Sequence, residues 1–250
     1  MMVFTLAARE LRSLFLSPLA WAILAAVQAL MAYFFLWYLQ EFSDLQPQLM
    51  VIENAPGITQ WVAMPLLATA AVVLLVVGPL LTMRLISEER RNQTLSLLMS
   101  APVSMSEIVI GKYLGVLMFF LIMVALIILM PLSLLFGATL DMGMFASGVL
   151  GLVLLLASFV AVGLYMSTLT NQPAVAAIST FGVLLMLWIA NLASTSTEQD
   201  SLLSYLSILQ HYQAMMKGVV NTGDIAYYLL FISVFLVLSV RHLDAQRLQK

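Results

Sequence analysis

The chain has 250 residues, 63% of them hydrophobic and 9% charged, with a formal net charge of -2 and no cysteine. Soluble domains run at roughly half apolar and about a quarter charged, so this much apolar surface cannot all be hidden in a water-soluble core. Without cysteine, disulfides, thiol catalysis and cysteine-bound metals are excluded.

In chain order, residues 3 to 15 read as an amphipathic helix. Val3, Ala7, Leu11, Leu14 and Phe15 lie on one face and Thr5, Arg9, Arg12 and Ser13 on the other. This elbow, residues 1–16, is expected to rest flat on the cytoplasmic leaflet, with Arg9 and Arg12 at the membrane surface. Ser17 and Pro18 read as an N-cap and a first helical residue, so a separate helix starts there.

Six apolar stretches follow, near 18 to 39, 61 to 83, 112 to 136, 144 to 168, 173 to 193 and 225 to 241. Each is close to the roughly 20 residues that a bilayer crossing needs. The first is longer than a signal-peptide core and a second follows it closely, so it reads as an uncleaved membrane helix. Long unbroken apolar runs exclude a β-barrel, whose strands alternate. Gly78 and Pro79 in the second stretch and Pro131 in the third predict bends. Ser147 with Gly151 and Ala157 with Ala161 give the fourth a face for close packing. Pro173 starts the fifth after a four-residue loop. The segment 194–224 begins polar and then carries Leu202, Tyr205, Leu206, Leu209, Tyr212, Met216 and Val219 at helical spacing, which predicts short helices over the outer end. Asp224 is placed to cap the last span.

Basic residues set the expected orientation. Arg9 and Arg12 precede the first span, Arg84, Arg90, Arg91 and Lys112 lie between the second and third, and Arg241, Arg247 and Lys250 follow the sixth. Lys217 alone lies on the other side, with Glu41, Asp44, Glu53, Asp141, Glu198, Asp200 and Asp224. Both termini are therefore expected in the cytoplasm. Tyr33, Trp37, Tyr38, Trp61, Tyr227 and Tyr228 cluster at the outer ends, as headgroup anchors or as packing residues.

Apart from Lys112 and Arg241 at the very ends of two of them, no Asp, Glu, Lys, Arg or His falls inside the apolar stretches, which disfavours a proton-coupled carrier. A sodium site built from backbone carbonyls stays open. His211 and His242 lie on opposite sides, no carboxylate pair sits at a span boundary, and Gly111 and Lys112 lack the remainder of a phosphate-binding loop. The chain is thus expected not to be an enzyme, and any ATP hydrolysis belongs to another chain. Met142 and Met144 beside Asp141 read as packing residues rather than as a copper pair. No metal, bound cofactor or nucleic-acid partner is expected.

Charge concentrates between Arg84 and Lys112, RLISEERRNQTLSLLMSAPVSMSEIVIGK. Leu95, Leu98 and Met99 share one helical face, Pro102 stops that helix, and Ser104 with Glu107 forms a capping box before the third span. A headgroup-bound collar is the bland reading. Glu88, Glu89 and Glu107 would be repelled by an anionic leaflet, however, so a groove on a protein partner suits the segment better.

The run SEERRNQTLSLLMSAPVSMSEIVIGKYLG resembles the coupling segment of type-2 ABC exporter permeases, particularly the branch associated with gliding motility and copper-enzyme maturation. Glu88, Glu89, Arg90, Arg91, Thr94, Leu95, Leu98, Ala101, Pro102, Val103, Glu107, Gly111 and Lys112 match its pattern, while Gln93 and Ser96 depart from it. The later run LSILQHYQAMMKGVVNTGDIAYYLLF is similar to the branch's outer helices and last span, through His211, Gly218, Asp224 and Tyr227.

The resemblance implies an all-α membrane protein forming a single domain over residues 1–250, with six spans, an elbow helix, a cytoplasmic coupling helix within 84–112 and outer helices within 194–224. It implies the permease half of an exporter in the bacterial inner membrane, paired with a second copy or a close paralogue. Two ABC ATPase subunits would hold ATP and Mg, and membrane lipid and an outer accessory protein are further expected partners. A non-transporting scaffold or mechanotransmitter is the alternative; an ion-coupled carrier is the third reading.

Overall fold

The computed structural model of the protein describes residues 2–49, 56–93, 104–194 and 207–248, which form helices and turns with no strand among them. The helices are α1 (Met2–Leu16), α2 (Pro18–Leu49), α3 (Met64–Thr82), α4 (Ser87–Arg91), α5 (Met105–Leu132), α6 (Met142–Leu169), α7 (Pro173–Ser194), α8 (Ile208–Met216) and α9 (Thr222–Leu248). A π-helical turn, Thr59–Ala63, leads into α3, and a 3-10 turn, Ser133–Phe136, follows α5.

Five helical segments are long and apolar enough to cross a membrane: Pro18–Gln48, Thr59–Arg91, Met105–Phe136, Met142–Leu169 and Thr222–Gln246. The expected fifth crossing corresponds to a shorter apolar helix, Pro173–Ile189, within α7. α2 runs ten residues past the expected end at 39, because its polar tail through Pro47 stays helical.

α6 is the central helix. Of its most apolar window 67% is buried, against 17% for those of α2 and α9, which leaves the latter two on the outside of the bundle. Small residues let neighbours approach it, as helix packing in membranes requires. A Cβ added at Gly163 would lie 2.1 Å from Thr82 Oγ1, so α3 and α6 cross at backbone distance there. On the expected Ser147 and Gly151 face, the neighbour is α8: Ser147 Oγ donates to the Met215 carbonyl at 2.7 Å, and a Cβ on Gly151 would touch Met215 at 3.0 Å.

The chain breaks at Ser17 as the sequence predicts, with Pro18 opening α2. The elbow's apolar side is turned against α5, whose Gly111 and Gly115 form a small-residue pair at four-residue spacing. Added Cβ atoms would come within 2.7 Å of Leu6 Cβ at Gly111 and 2.6 Å of Glu10 Cβ at Gly115. The glycines therefore seat α1 on α5 by close approach, while Arg9 and Arg12 stay exposed. The predicted capping box is present: Glu107 N–H donates to Ser104 Oγ at 3.2 Å and Ser104 N–H to Glu107 Oε2 at 3.1 Å. At the second span's end, Thr82 Oγ1 donates to the Gly78 carbonyl at 2.9 Å beside Pro79.

Two expectations change. Asp224 does not cap α9; Asn221 Oδ1 accepts the Gly223 N–H at 3.1 Å, and Asp224, inside the first turn, turns its carboxylate to His211. Of the aromatic belt, Tyr33 and Trp37 are exposed, but Tyr38 OH meets Thr69 Oγ1 at 2.8 Å and Tyr228 is fully buried, so these two are packing residues.

Candidate functional site

The charged residues of the 84–112 segment that are described gather around α4, a five-residue helix absent from the periodicity reading. A helix this short cannot satisfy its own N-terminal donors, and no side chain of its own caps it. Ser167 on α6 does so instead. Its buried Oγ accepts the N–H groups of Ile86 and Ser87, each at 3.0 Å, and donates to the Met83 carbonyl at 3.1 Å. That uses the hydroxyl's whole capacity of one donor and two acceptor sites.

Lys112, two turns into α5, carries the second link. Its Nζ lies 2.8 Å from Glu89 Oε1 on α4 and 3.3 Å from Glu10 Oε2 on α1, with its side chain 8% exposed. One ammonium thus joins three helices, and charge-assisted bonds of this kind are about twice as strong as neutral ones. The third link is Arg90, whose Nη2 donates to Gln246 Oε1 near the end of α9. Gln246 Nε2 in turn meets His242 Nε2 at 2.9 Å. α4 is therefore tied to α1, α5, α6 and α9.

The other expected residues are placed as follows. Glu88 lines a cleft beside the elbow, and Arg91 lines a second cleft with Gln172 and Pro173. Glu107 closes the capping box. Thr94, Leu95, Leu98, Met99, Pro102 and the matched Ala101 and Val103 lie outside the described residues. Sequence reasoning missed Glu10, Ser167 and Gln246. Each meets α4 or Lys112 across roughly 80 residues or more of chain, which no local spacing reports; the Gly111 and Gly115 spacing was the one readable sign of a helix seated on α5.

At the opposite end, α8 closes over the bundle. His211 Nδ1 and Asp224 Oδ1 are 2.6 Å apart, both residues buried, and the His211 ring stacks on Tyr227 at 4.1 Å between centroids. Tyr212 OH donates to the Leu67 carbonyl on α3 at 3.0 Å, and Tyr228 OH to the Ile208 carbonyl at 2.9 Å. Burial holds the Tyr212 phenol above the usual tyrosine range, so it remains a donor. Gly218, at φ +83°, makes the left-handed turn that leads from α8 towards α9. Among the described residues no cluster of three or more His, Cys, Asp or Glu could hold a metal.

Long apolar helices around a central small-residue helix define a multi-pass membrane protein. The family model of the ABC-2 family transporter proteins matches residues 4–247, and the chain belongs to that family. It is accordingly a permease component of an ABC transporter, a class that works with an ATPase subunit. No curated protein matches it.

Proposed function

We propose that the chain is the membrane half of an ATP-driven exporter, of the gliding-motility and copper-enzyme-maturation type, and that α4 passes movement from a separate nucleotide-binding subunit into the bundle. The observation that carries this reading is the convergence on α4: the start of the segment that resembles a coupling loop is bonded directly to α5, α6 and α9, and through Lys112 to α1. A lipid-resting collar has no need of such ties. The uncharged segment beyond α4, with Leu95, Leu98 and Met99, would seat in a groove of the ATPase.

Six crossings fit this reading. α7 has 22 residues, about 33 Å at 1.5 Å per residue, enough for a hydrocarbon core of about 30 Å. An even number returns both termini to one side, and the positive-inside asymmetry makes that side the cytoplasm of a bacterial inner membrane. The working unit would contain two permeases, as a homodimer or with a close paralogue, and two ATPases holding ATP and Mg. The buried outer cap supports either export of a substrate or work on an outer partner bound over α8.

Replacing Leu95 and Leu98 together with Asp tests the reading. The double variant should insert normally but lose the co-purifying ATPase, because two charges would enter an apolar contact. ATPase retained at the wild-type level contradicts the assignment. Transport assays in vesicles separate export from mechanical work: a compound accumulated on ATP addition marks export, and turnover that changes only a bound outer partner marks the second.

A further inference from the structure

The cleft between α1, the end of α3 and α4 has a volume of about 330 Å³, inside the roughly 300–1,000 Å³ range of small-molecule sites. Its wall carries three cations, Arg9, Arg84 and Lys112, and three carboxylates, Glu10, Glu88 and Glu89. Lys112 is engaged by Glu10 and Glu89. Arg9, Arg84 and Glu88 make no ion pair with a described residue. The cleft therefore offers two guanidinium groups and one carboxylate to whatever enters it.

One wall runs into the membrane. Val72, Val76 and Leu80 are 50%, 52% and 41% exposed and lie at four-residue spacing along α3, so they form a single apolar stripe on its surface. Leu80 also lines the cleft, and the same spacing continues to Arg84 in the following turn. Leu19, just past the break between elbow and first span, lines the cleft too and is 38% exposed. An apolar stripe that ends in cations and a carboxylate at a membrane boundary has the polarity sequence of a phospholipid.

We infer that the cleft binds an amine-bearing phospholipid, with its phosphate on Arg9 and Arg84, its ammonium on Glu88, and an acyl chain along Val72, Val76 and Leu80. Guanidinium groups suit phosphate oxygens through paired donors. A primary ammonium has three donors and a positive charge for Glu88; a trimethylated headgroup has the charge but no donor, and a glycerol headgroup has hydroxyl donors but no charge to neutralise the carboxylate. The ligand class is thus phosphatidylethanolamine, in preference to phosphatidylcholine or phosphatidylglycerol. The site rests on the helices' crossing of a bilayer and not on the coupling role of α4, so it can stand if that role fails.

Native mass spectrometry of the full chain in mild detergent tests the site, with the three lipids supplied at equal concentration. Wild-type protein should retain phosphatidylethanolamine in clear excess. Arg9→Gln and Arg84→Gln should each lower that adduct by about tenfold, and Arg9, exposed on the elbow, can be changed without disturbing the fold. Glu88→Gln should remove the preference over phosphatidylglycerol while leaving phosphate-dependent retention. Glycerophosphoethanolamine, which has the headgroup but no chains, should fail to displace the lipid at about hundredfold excess, because the stripe supplies part of the binding. Equal retention of all three lipids, or an unchanged adduct in both arginine variants, overturns the assignment. Displacement by the chainless compound overturns the lipid and leaves a site for a soluble phosphoamine.

Discussion

A single ammonium group holds α1, α4 and α5 together, and its surroundings set the consequence of removing it. The Glu10 and Glu89 side chains are 23% and 29% exposed, so losing Lys112 takes the shared ammonium from two partly desolvated carboxylates. Breaking a buried pair by removing one partner costs about 3–5 kcal/mol, and partial exposure brings the expectation for Lys112→Met down to about 2 kcal/mol. A fall in thermal stability of the purified chain should show it. The triple variant that adds Glu10→Gln and Glu89→Gln should recover most of the loss, since the two carboxylate charges that Lys112 offsets are gone. Equal stability of Lys112→Met and wild type would mean that the triad contributes nothing. At this scale the sequence was legible where partners are near in the chain. Ser104 and Glu107 are three residues apart, and the capping box could be read directly. Lys112 could be singled out by pattern, but its partner Glu10 precedes it by 102 residues, and only the packing of α1 on α5 brings them together.

α4 is held by another helix's hydroxyl, which separates its fate from its own sequence. Ser167→Ala would leave two buried N–H groups, on Ile86 and Ser87, without their acceptor. Each unsatisfied donor costs about 1–3 kcal/mol, and relaxation of the turn should absorb part of this. Hydrogen exchange across 86–92 should accelerate by at least about tenfold, while the core of α6 stays protected. Unchanged exchange there would show that Ser167 is not what anchors α4. Five of the six expected spans match long apolar helices and the other a shorter one, because apolar runs of about 20 residues signal a bilayer crossing. The polar extension of α2 was not legible, since helix propensity outlasts the apolar pattern that marks a span. Nor was α4, whose SEERR sequence has no apolar period to detect. The amphipathic face of the elbow was visible; that α5 receives it was written only in the spacing of Gly111 and Gly115.

For the whole molecule, the absence of native cysteine makes the topology directly testable. In the proposed arrangement, cysteine placed at Val219, 60% exposed beside the outer cap, should react with a membrane-impermeant thiol reagent in intact cells. Cysteine at Arg12, exposed on the elbow, should react only after the membrane is opened. Labelling of both from outside, or of neither, would require an even number of crossings between the two sites, and labelling of the Arg12 site alone would require the reverse orientation. The asymmetry behind this expectation was visible in the basic residues alone, because short cytoplasmic loops retain Lys and Arg. The connection from those loops into the bundle was not visible, because it runs through Ser167, Gln246 and Glu10, polar residues that carry no periodic signal.

In the proposed coupling, α4 and the helices bonded to it move together when the partner ATPase closes on nucleotide. Hydrogen exchange of the intact permease–ATPase complex in lipid, compared without nucleotide and in a trapped ATP-bound state, measures this most directly. Coordinated changes are expected in 83–93, the first turns of α5 and the elbow α1, and their loss for the elbow in Lys112→Met. Changes confined to the ATPase, with α4, α5 and α1 exchanging alike in both states, would contradict the proposed coupling.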